Sequence, residues 1–284
     1  MSGHLAQYEK KKEFLVCVDS DGCAMDTMDV KHFRCFGPCM VAEWGLEEHA
    51  DAILARWNDI NLYTMTRGIN RFKGLAIALT EINAQYAPIE DLASFTAWAE
   101  ASPELSNDAL SRAISANPGS VCMKKALSWS RAVNASITKL PNGLKLPFPM
   151  AREALAYAHE RVDVAIVSSA NPDAVIEEWA LHGLLPHTDI VLAQDAGSKA
   201  YCIAELMKKG YAPDHILMCG DAPGDLDAAK KNGVFYYPIL VRRERESWEE
   251  FIASGLDRLL RGEYAGTYQQ EKIAAFLRNL GAEA

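Results

Sequence analysis

The chain predicts an α/β fold: a doubly wound parallel sheet interrupted after its first strand by an all-helical domain. Three observations carry this reading. A continuous apolar run at residues 14–18 ends on the charged stretch Asp19-Ser20-Asp21, as a strand buried on both faces would. Four comparable runs follow, all in the second half of the chain, near residues 164–167, 190–193, 216–219 and from Val234 onward. Between those later runs the apolar residues change to helical spacing, and strand alternating with helix is the pattern of a parallel sheet covered on both faces.

The elements follow in order. Residues 14–18 form the first strand. From about residue 30 to 145 no strand pattern appears. Ile53, Leu54, Trp57 and Ile60 share one helical face, and Phe72, Leu75, Ala76 and Leu79 share another, with further helical patterns near 91–115 and 120–138. Residues 139–149, with three prolines and a glycine, read as the returning linker. The second strand then leads to Asn171-Pro172, a helix start. Val175, Ile176 and Trp179 follow at helical spacing, and Gly183 stops the run. Residues 198–210 and 226–233 repeat this pattern, and the tail beyond 243 reads as amphipathic helix. The first strand cannot bury both faces alone, so it must join the later four. The expected domains are residues 1–29 with 146–284 as the α/β core, and 30–145 as a helical cap.

Composition narrows the function. The 284 residues carry a formal net charge of -9, which argues against general nucleic-acid binding, because phosphate neutralisation needs clustered lysine and arginine. The first residues lack the apolar core of a signal peptide, and no apolar run has the length of a membrane span, so a cytoplasmic protein without membrane contact is expected. Seven cysteines, at 17, 23, 35, 39, 122, 202 and 219, have no disulfide-framework spacing and fit a reducing compartment. Cys35 and Cys39 could be two metal ligands, but no second pair completes a site.

In an open parallel sheet, ligands bind beyond the carboxyl ends of the strands. Those ends carry Asp19-Ser20-Asp21-Gly22, then Ser168-Ser169, then Lys199, then Gly220-Asp221 with Asp225 one helical turn on. In this order and placement the residues resemble the haloacid dehalogenase superfamily of phosphohydrolases, with a Rossmann-like core. Its four motifs stand here as "DSDG" at 19–22, "VSSAN" from Val167, "GSK" ending at Lys199, and "GDAPGD" at 220–225. Asp26-Thr27 fits the family's first loop. The Pro that usually follows the motif lysine is Ala200 here. The resemblance spans the sheet domain, roughly residues 12–29 and 146–242.

The resemblance implies a magnesium-dependent phosphatase. Asp19 would attack phosphorus to form an aspartyl-phosphate, and Asp21 would protonate the leaving oxygen and later activate water, so one hard step becomes two. Mg2+ would be held by the Asp19 side chain, the Asp21 carbonyl and Asp221, with Asp225 orienting from behind. Lys199 would neutralise the phosphate, and Ser168, with a backbone N–H of Ser169 or Ala170, would bind its oxygens. On the residues alone, Ser168 could instead be a helix cap, Ser169 either cap or donor, and Lys199 a surface lysine.

Lys199 follows Ser168 by only 31 positions, room for one helix and one strand, so any cap must be the earlier insert. Such a cap would close over the rim and favour a small phosphorylated metabolite, such as a sugar phosphate. Within it, "TRGINRFKG" gathers Arg67, Arg71 and Lys73, and Arg67 or Arg71 is a candidate for the substrate's non-reacting part. A solvated helix start is the competing reading. His32 and Arg34 read as a charged hinge surface. A phosphomutase would share the whole constellation. A phosphonate hydrolase typically replaces the second motif-one Asp, and a dehalogenase needs neither magnesium nor the Asp221/Asp225 pair. A non-catalytic phosphate or metal sensor is the alternative from another class. Oligomeric state stays open.

Overall fold

The computed structural model describes residues 2–282, in two compact units: the chain up to Met28 together with everything from Asn142 onward, and Asp29–Pro141. A short helix α1 (Ser2–Gln7) precedes strand β1 (Leu15–Val18), and a two-residue strand β2 (Met25–Asp26) follows it. The helical unit then runs through α2 (Met28–Lys31), α3 (Gly37–Trp44), α4 (Ala50–Asn58), α5 (Arg71–Gln85), α6 (Leu92–Ala101), α7 (Asn107–Ala116) and α8 (Val121–Thr138). After the return come β3 (Leu146–Pro147), α9 (Ala151–His159), β4 (Asp163–Val167), α10 (Pro172–Leu181), β5 (Ile190–Leu192) and α11 (Lys199–Met207). The chain ends with β6 (Ile216–Gly220), α12 (Pro223–Asn232), β7 (Phe235–Pro238), α13 (Glu244–Glu250), α14 (Leu256–Leu260) and α15 (Thr267–Asn279). Among the described residues no helix is long and apolar enough to cross a membrane.

The five expected strands form one parallel sheet in the order β5-β4-β1-β6-β7. Strand β1, the first in the chain, is the central one, and all four of its residues are fully buried. That is why its sequence is continuously apolar rather than alternating. From β1 the chain moves to β4 and β5 on one side and then crosses to β6 and β7 on the other, so the switch point lies between the carboxyl ends of β1 and β6, where open parallel sheets bind ligands. Val16, Val18, Val164 and Ile166 share a core with Leu155 of α9, Trp179 of α10 and Trp248 of α13. The other helices of the repeating units, α11 and α12, pack on each other, with α11 also against β4 and α12 against β6 and β7.

The returning linker is more ordered than its prolines suggest. Met25 pairs with Pro147 and Asp26 with Leu146 in an antiparallel ribbon, and the Phe148 N–H extends it to the Ala24 carbonyl at 3.0 Å. Lys145 lies 3.8 Å from Glu178 of α10. These ties explain why residues 142–145, read as the end of the insert, belong to the α/β unit.

The helical unit has its own core, containing Phe36, Ile53, Trp57, Ile60, Phe72, Leu75, Leu79 and Trp129. Trp129 meets Trp57 and Phe72 edge-on at 5.9 and 6.3 Å, and its indole N–H donates to the Phe36 carbonyl. The pattern near 91–115 proves to be two helices, broken at 102–106 around Pro103, where Ser106 caps α7. Two wide π turns, His32–Phe36 and Asp59–Tyr63, interrupt this unit.

Candidate active site

The site grows from the end of β1. In register, Val18 stands level with Ile166 of β4 and Cys219 of β6, and the Asp19 N–H continues the ladder to the Cys219 carbonyl at 3.0 Å. Asp19 is 6 % exposed. Its Oδ1 accepts the Ser20 N–H at 2.7 Å, and its Oδ2 lies 2.8 Å from Lys199 Nζ. Lys199 is the first residue of α11, capped by the Ser198 hydroxyl. Its ammonium also donates to Asp225 Oδ1 at 2.5 Å. A lysine at a helix N-terminus opposes the helix dipole, and two carboxylates offset that cost here. The substitution of Ala200 for the family's usual proline therefore leaves the lysine in the site.

Asp225 sits in the first turn of α12, which opens with Pro223. Its Oδ2 accepts the N–H groups of Asp221 and Ala222 at 3.2 and 3.0 Å, so both of its oxygens are bonded. A glycine at 220 is required by this arrangement, because a Cβ there would lie 2.3 Å from Asp225 Cγ.

Downstream of Asp19 the chain makes a tight turn. The Ser20 carbonyl accepts from the N–H groups of Cys23, Ala24 and Met25, while Gly22, at φ 84°, donates to the Met25 carbonyl. Asp21 is half-buried, and its Oδ1 accepts the Thr27 hydroxyl at 2.6 Å, which gives the "DT" of the first loop a task. Ser20 is fully buried, and its hydroxyl accepts the Trp179 indole N–H at 2.9 Å. Neither of these two residues stands out in the sequence as part of the site. A serine between two aspartates at a strand end was the available signal. Cys23 is fully buried, and burial pushes its thiol well above the ordinary range, so it is no reactive nucleophile.

At the end of β4, Ser168 is 3 % exposed, its N–H bonded to Leu192 and its hydroxyl accepting the Ala170 N–H at 3.1 Å. Ser169 is exposed. The cap of α10 is neither serine but Asn171, whose Oδ1 accepts the Ala174 N–H. Arg67 and Arg71 lie in the helical unit. Arg67 is 3 % exposed and donates to the Leu62 carbonyl at 2.7 Å, at the π turn. Arg71 donates to Ser130 and Asn134 and lies over the Phe36 ring at 5.0 Å, and burial lowers its pKa to about 10.

Charge balance decides what the site would hold. Buried carboxylate oxygens of Asp19, Asp221 and Asp225 lie within 4.8 Å of one another. Burial pushes the Asp19 carboxyl up to about 8, helped by Asp225 and Asp221 and opposed by Lys199. The same burial works against the Lys199 ammonium, but Asp19 and Asp225 outweigh it and hold the lysine charged. One ammonium cannot balance three carboxylates out of water. The oxygen-only donor set suits a hard divalent cation such as Mg2+, and Asp19 and Asp221 are the side chains that would take it, while Asp225 is bound to Lys199 and two amides.

A profile of the haloacid dehalogenase-like hydrolase family matches residues 104–238. No curated protein matches the chain in sequence. A candidate phosphatase from Clostridium difficile shares the fold with TM-score 0.51 at 14% identity, over 81% of this chain and 86% of that one. A candidate β-phosphoglucomutase from Thermotoga maritima gives 0.46 at 17% identity, over 79% and 84%. A haloacid dehalogenase-like family hydrolase from Streptococcus pneumoniae gives 0.45 at 14% identity, over 83% and 90%. The family profile covers the second to fourth motifs, and the first stands at the centre of the same sheet, so residues 104–238 are similar to the haloacid dehalogenase-like hydrolases.

Proposed function

We propose that the chain is a magnesium-dependent phosphatase acting on a small phosphorylated metabolite through an aspartyl-phosphate on Asp19. The observation that carries the reading is the meeting of Asp19, Lys199 and Asp225 beside Asp221 at the end of the central strand. Bound between Asp19 and Asp221, Mg2+ would supply positive charge to the phosphate oxygens and offset their repulsion by the nucleophile.

The chain's own groups do the rest. The Ser20 N–H and the Lys199 ammonium hold the two oxygens of Asp19, so the carboxylate is oriented for attack. Asp21, fixed by Thr27 yet half-exposed, protonates the leaving oxygen and then takes a proton from the water that opens the aspartyl-phosphate. Ser168 Oγ accepts a backbone N–H, which directs its hydrogen outward to a phosphate oxygen. The helical unit would act as the cap that selects substrate, and the bonds of Arg67 and Arg71 within that unit favour a structural task for both over substrate contact.

Phosphate release from a panel of phosphorylated metabolites, with magnesium or chelator, tests this for the wild type and Asp19→Asn. Magnesium-dependent release that vanishes in the variant is expected. Substrate isomerisation without net release would make the chain a mutase, and turnover surviving in Asp19→Asn would sink the mechanism.

A further inference from the structure

The chain beyond residue 243 lies outside the family-matched region, and two of its buried polar side chains lead to the acidic loops, one directly and one through β7. Trp248 of α13 is fully buried, and its indole N–H donates to the Cys23 carbonyl at 3.2 Å, in the turn that follows Asp19-Ser20-Asp21. Phe251 meets that ring edge-on at 5.6 Å and fixes its plane. Tyr264, also fully buried, donates to the Tyr236 carbonyl at 2.8 Å, and the Tyr236 hydroxyl donates to the Gly220 carbonyl at 2.9 Å, next to Asp221.

The same segment is anchored to the sheet rather than resting on it. The Tyr237 hydroxyl of β7 donates to the Ser247 carbonyl at 2.7 Å, and the Ser247 hydroxyl accepts the Leu240 N–H. Asn279, at the end of α15, both accepts from and donates to the backbone of Val241. Packing alone would be served by phenylalanine at 248 and 264, with no buried donor to satisfy. Indole and phenol are worth their desolvation only because backbone carbonyls receive them, that of Cys23 in the turn after Asp21 and that of Tyr236 in β7.

We infer that the C-terminal helices are a brace for both acidic loops, with Trp248 and Tyr264 as positioning residues: Trp248 holds the turn carrying Asp19 and Asp21, and Tyr264, through Tyr236, holds the loop carrying Asp221. The effect on turnover rests on the catalytic reading above; the brace itself does not. A nucleophile and a cation-binding carboxylate on separate loops must be held to within an ångström for efficient chemistry; the Trp248 bond constrains the first backbone directly, and the Tyr264 bond constrains the second through Tyr236 of β7.

The test uses the full chain with Tyr264→Phe, which keeps the ring and removes only the hydroxyl, and Trp248→Phe, which removes the donor together with part of the indole. Amide hydrogen exchange is followed by mass spectrometry, alongside phosphate release from a phosphomonoester. In Trp248→Phe, exchange at residues 20–25 should accelerate about tenfold while β4 and β5 keep wild-type rates, and in Tyr264→Phe the acceleration should fall on residues 219–222. Turnover should fall about tenfold in kcat with KM within about twofold, because position rather than binding is lost. Uniform acceleration across the sheet, or none at the two loops, overturns the brace. Should Trp248→Phe fail to fold, Tyr264→Phe, which loses one oxygen, decides. A wild type that releases no phosphate would defeat the catalytic reading, and the exchange rates would still decide the brace.

Discussion

Gly220→Ala is the smallest change that should dismantle the site. A Cβ at 220 would lie 2.3 Å from Asp225 Cγ and 2.4 Å from its Cβ and Oδ2, well inside contact distance. Asp225 has nowhere to retreat. It is fully buried and bonded to Lys199 at 2.5 Å and to the N–H groups of Asp221 and Ala222. If the backbone shifts to make room, overpacking costs about 1–3 kcal/mol. If the carboxylate is expelled instead, hydrogen bonds to a charged group worth roughly 1.5–3 kcal/mol each are broken, and Lys199 loses one of its two partners. On either route about 3 kcal/mol of stability should disappear. Turnover should drop about a hundredfold, because Lys199 and Asp221 both move relative to Asp19. Gly224→Ala is the matched control. It lies four residues on, in the first turn of α12, with no atom within 4 Å of an added Cβ, and should be neutral or stabilising by about 0.5 kcal/mol. Urea unfolding and phosphate release read both quantities. A Gly220→Ala protein within about 1 kcal/mol of wild type and fully active would refute the argument that Asp225 needs a bare glycine.

Two further outcomes are expected elsewhere in the molecule. Asp189 is resisted by burial, but Lys11, the Val164 N–H and His159 outweigh it and hold its carboxyl below the ordinary range. A depressed carboxylate stabilises the fold above its unfolded value and loses that contribution as pH falls through the folded value. Asp189→Asn should therefore cost about 1–2 kcal/mol at pH 7, with the difference closing below about pH 4; urea midpoints that stay equally separated at pH 7 and 3 would contradict this. For Arg71→Ala, losing the bonds to Ser130 and Asn134 and the contact with Phe36 should cost about 2 kcal/mol while KM stays within about twofold. A tenfold higher KM at unchanged stability would return Arg71 to the substrate.

The sheet was legible because burial on two faces writes itself into a strand as an uninterrupted apolar run, and four of the five strands lead to a polar residue worth reading. Other features leave no such trace. Two-residue strands such as Met25–Asp26 and Leu146–Pro147 are shorter than any period. The π turns keep the apolar spacing of the helices they widen, so Ile60 joins the predicted face although the backbone there is no longer α-helical. The choice among Ser168, Ser169 and Asn171 as cap depends on where β4 stops, and a boundary of that kind is set by the β5 carbonyl of Leu192 that receives the Ser168 N–H.

The two arginines show a different limit. In an acidic chain, Arg67 and Arg71 draw the eye as anion ligands, because sequence displays charge and conceals acceptors. The π turn at 59–63 disturbs the regular backbone pattern, and the Leu62 carbonyl there is an acceptor for Arg67, seven residues after the predicted helix face ends at residue 60. Arg71 finds Ser130 and Asn134 about sixty residues away, a pairing only the packing of α5 near α8 creates. Lys199 is the converse case. Only the short "GSK" after a strand marks it, and the residue after it departs from the family pattern, yet Gly197 at φ 116° and the Ser198 cap start α11 where its ammonium meets Asp19 and Asp225. A charged side chain acquires its role from the partners that the fold leaves in need of one, so acidic clusters at strand ends predict their lysine better than the lysine's own neighbours do.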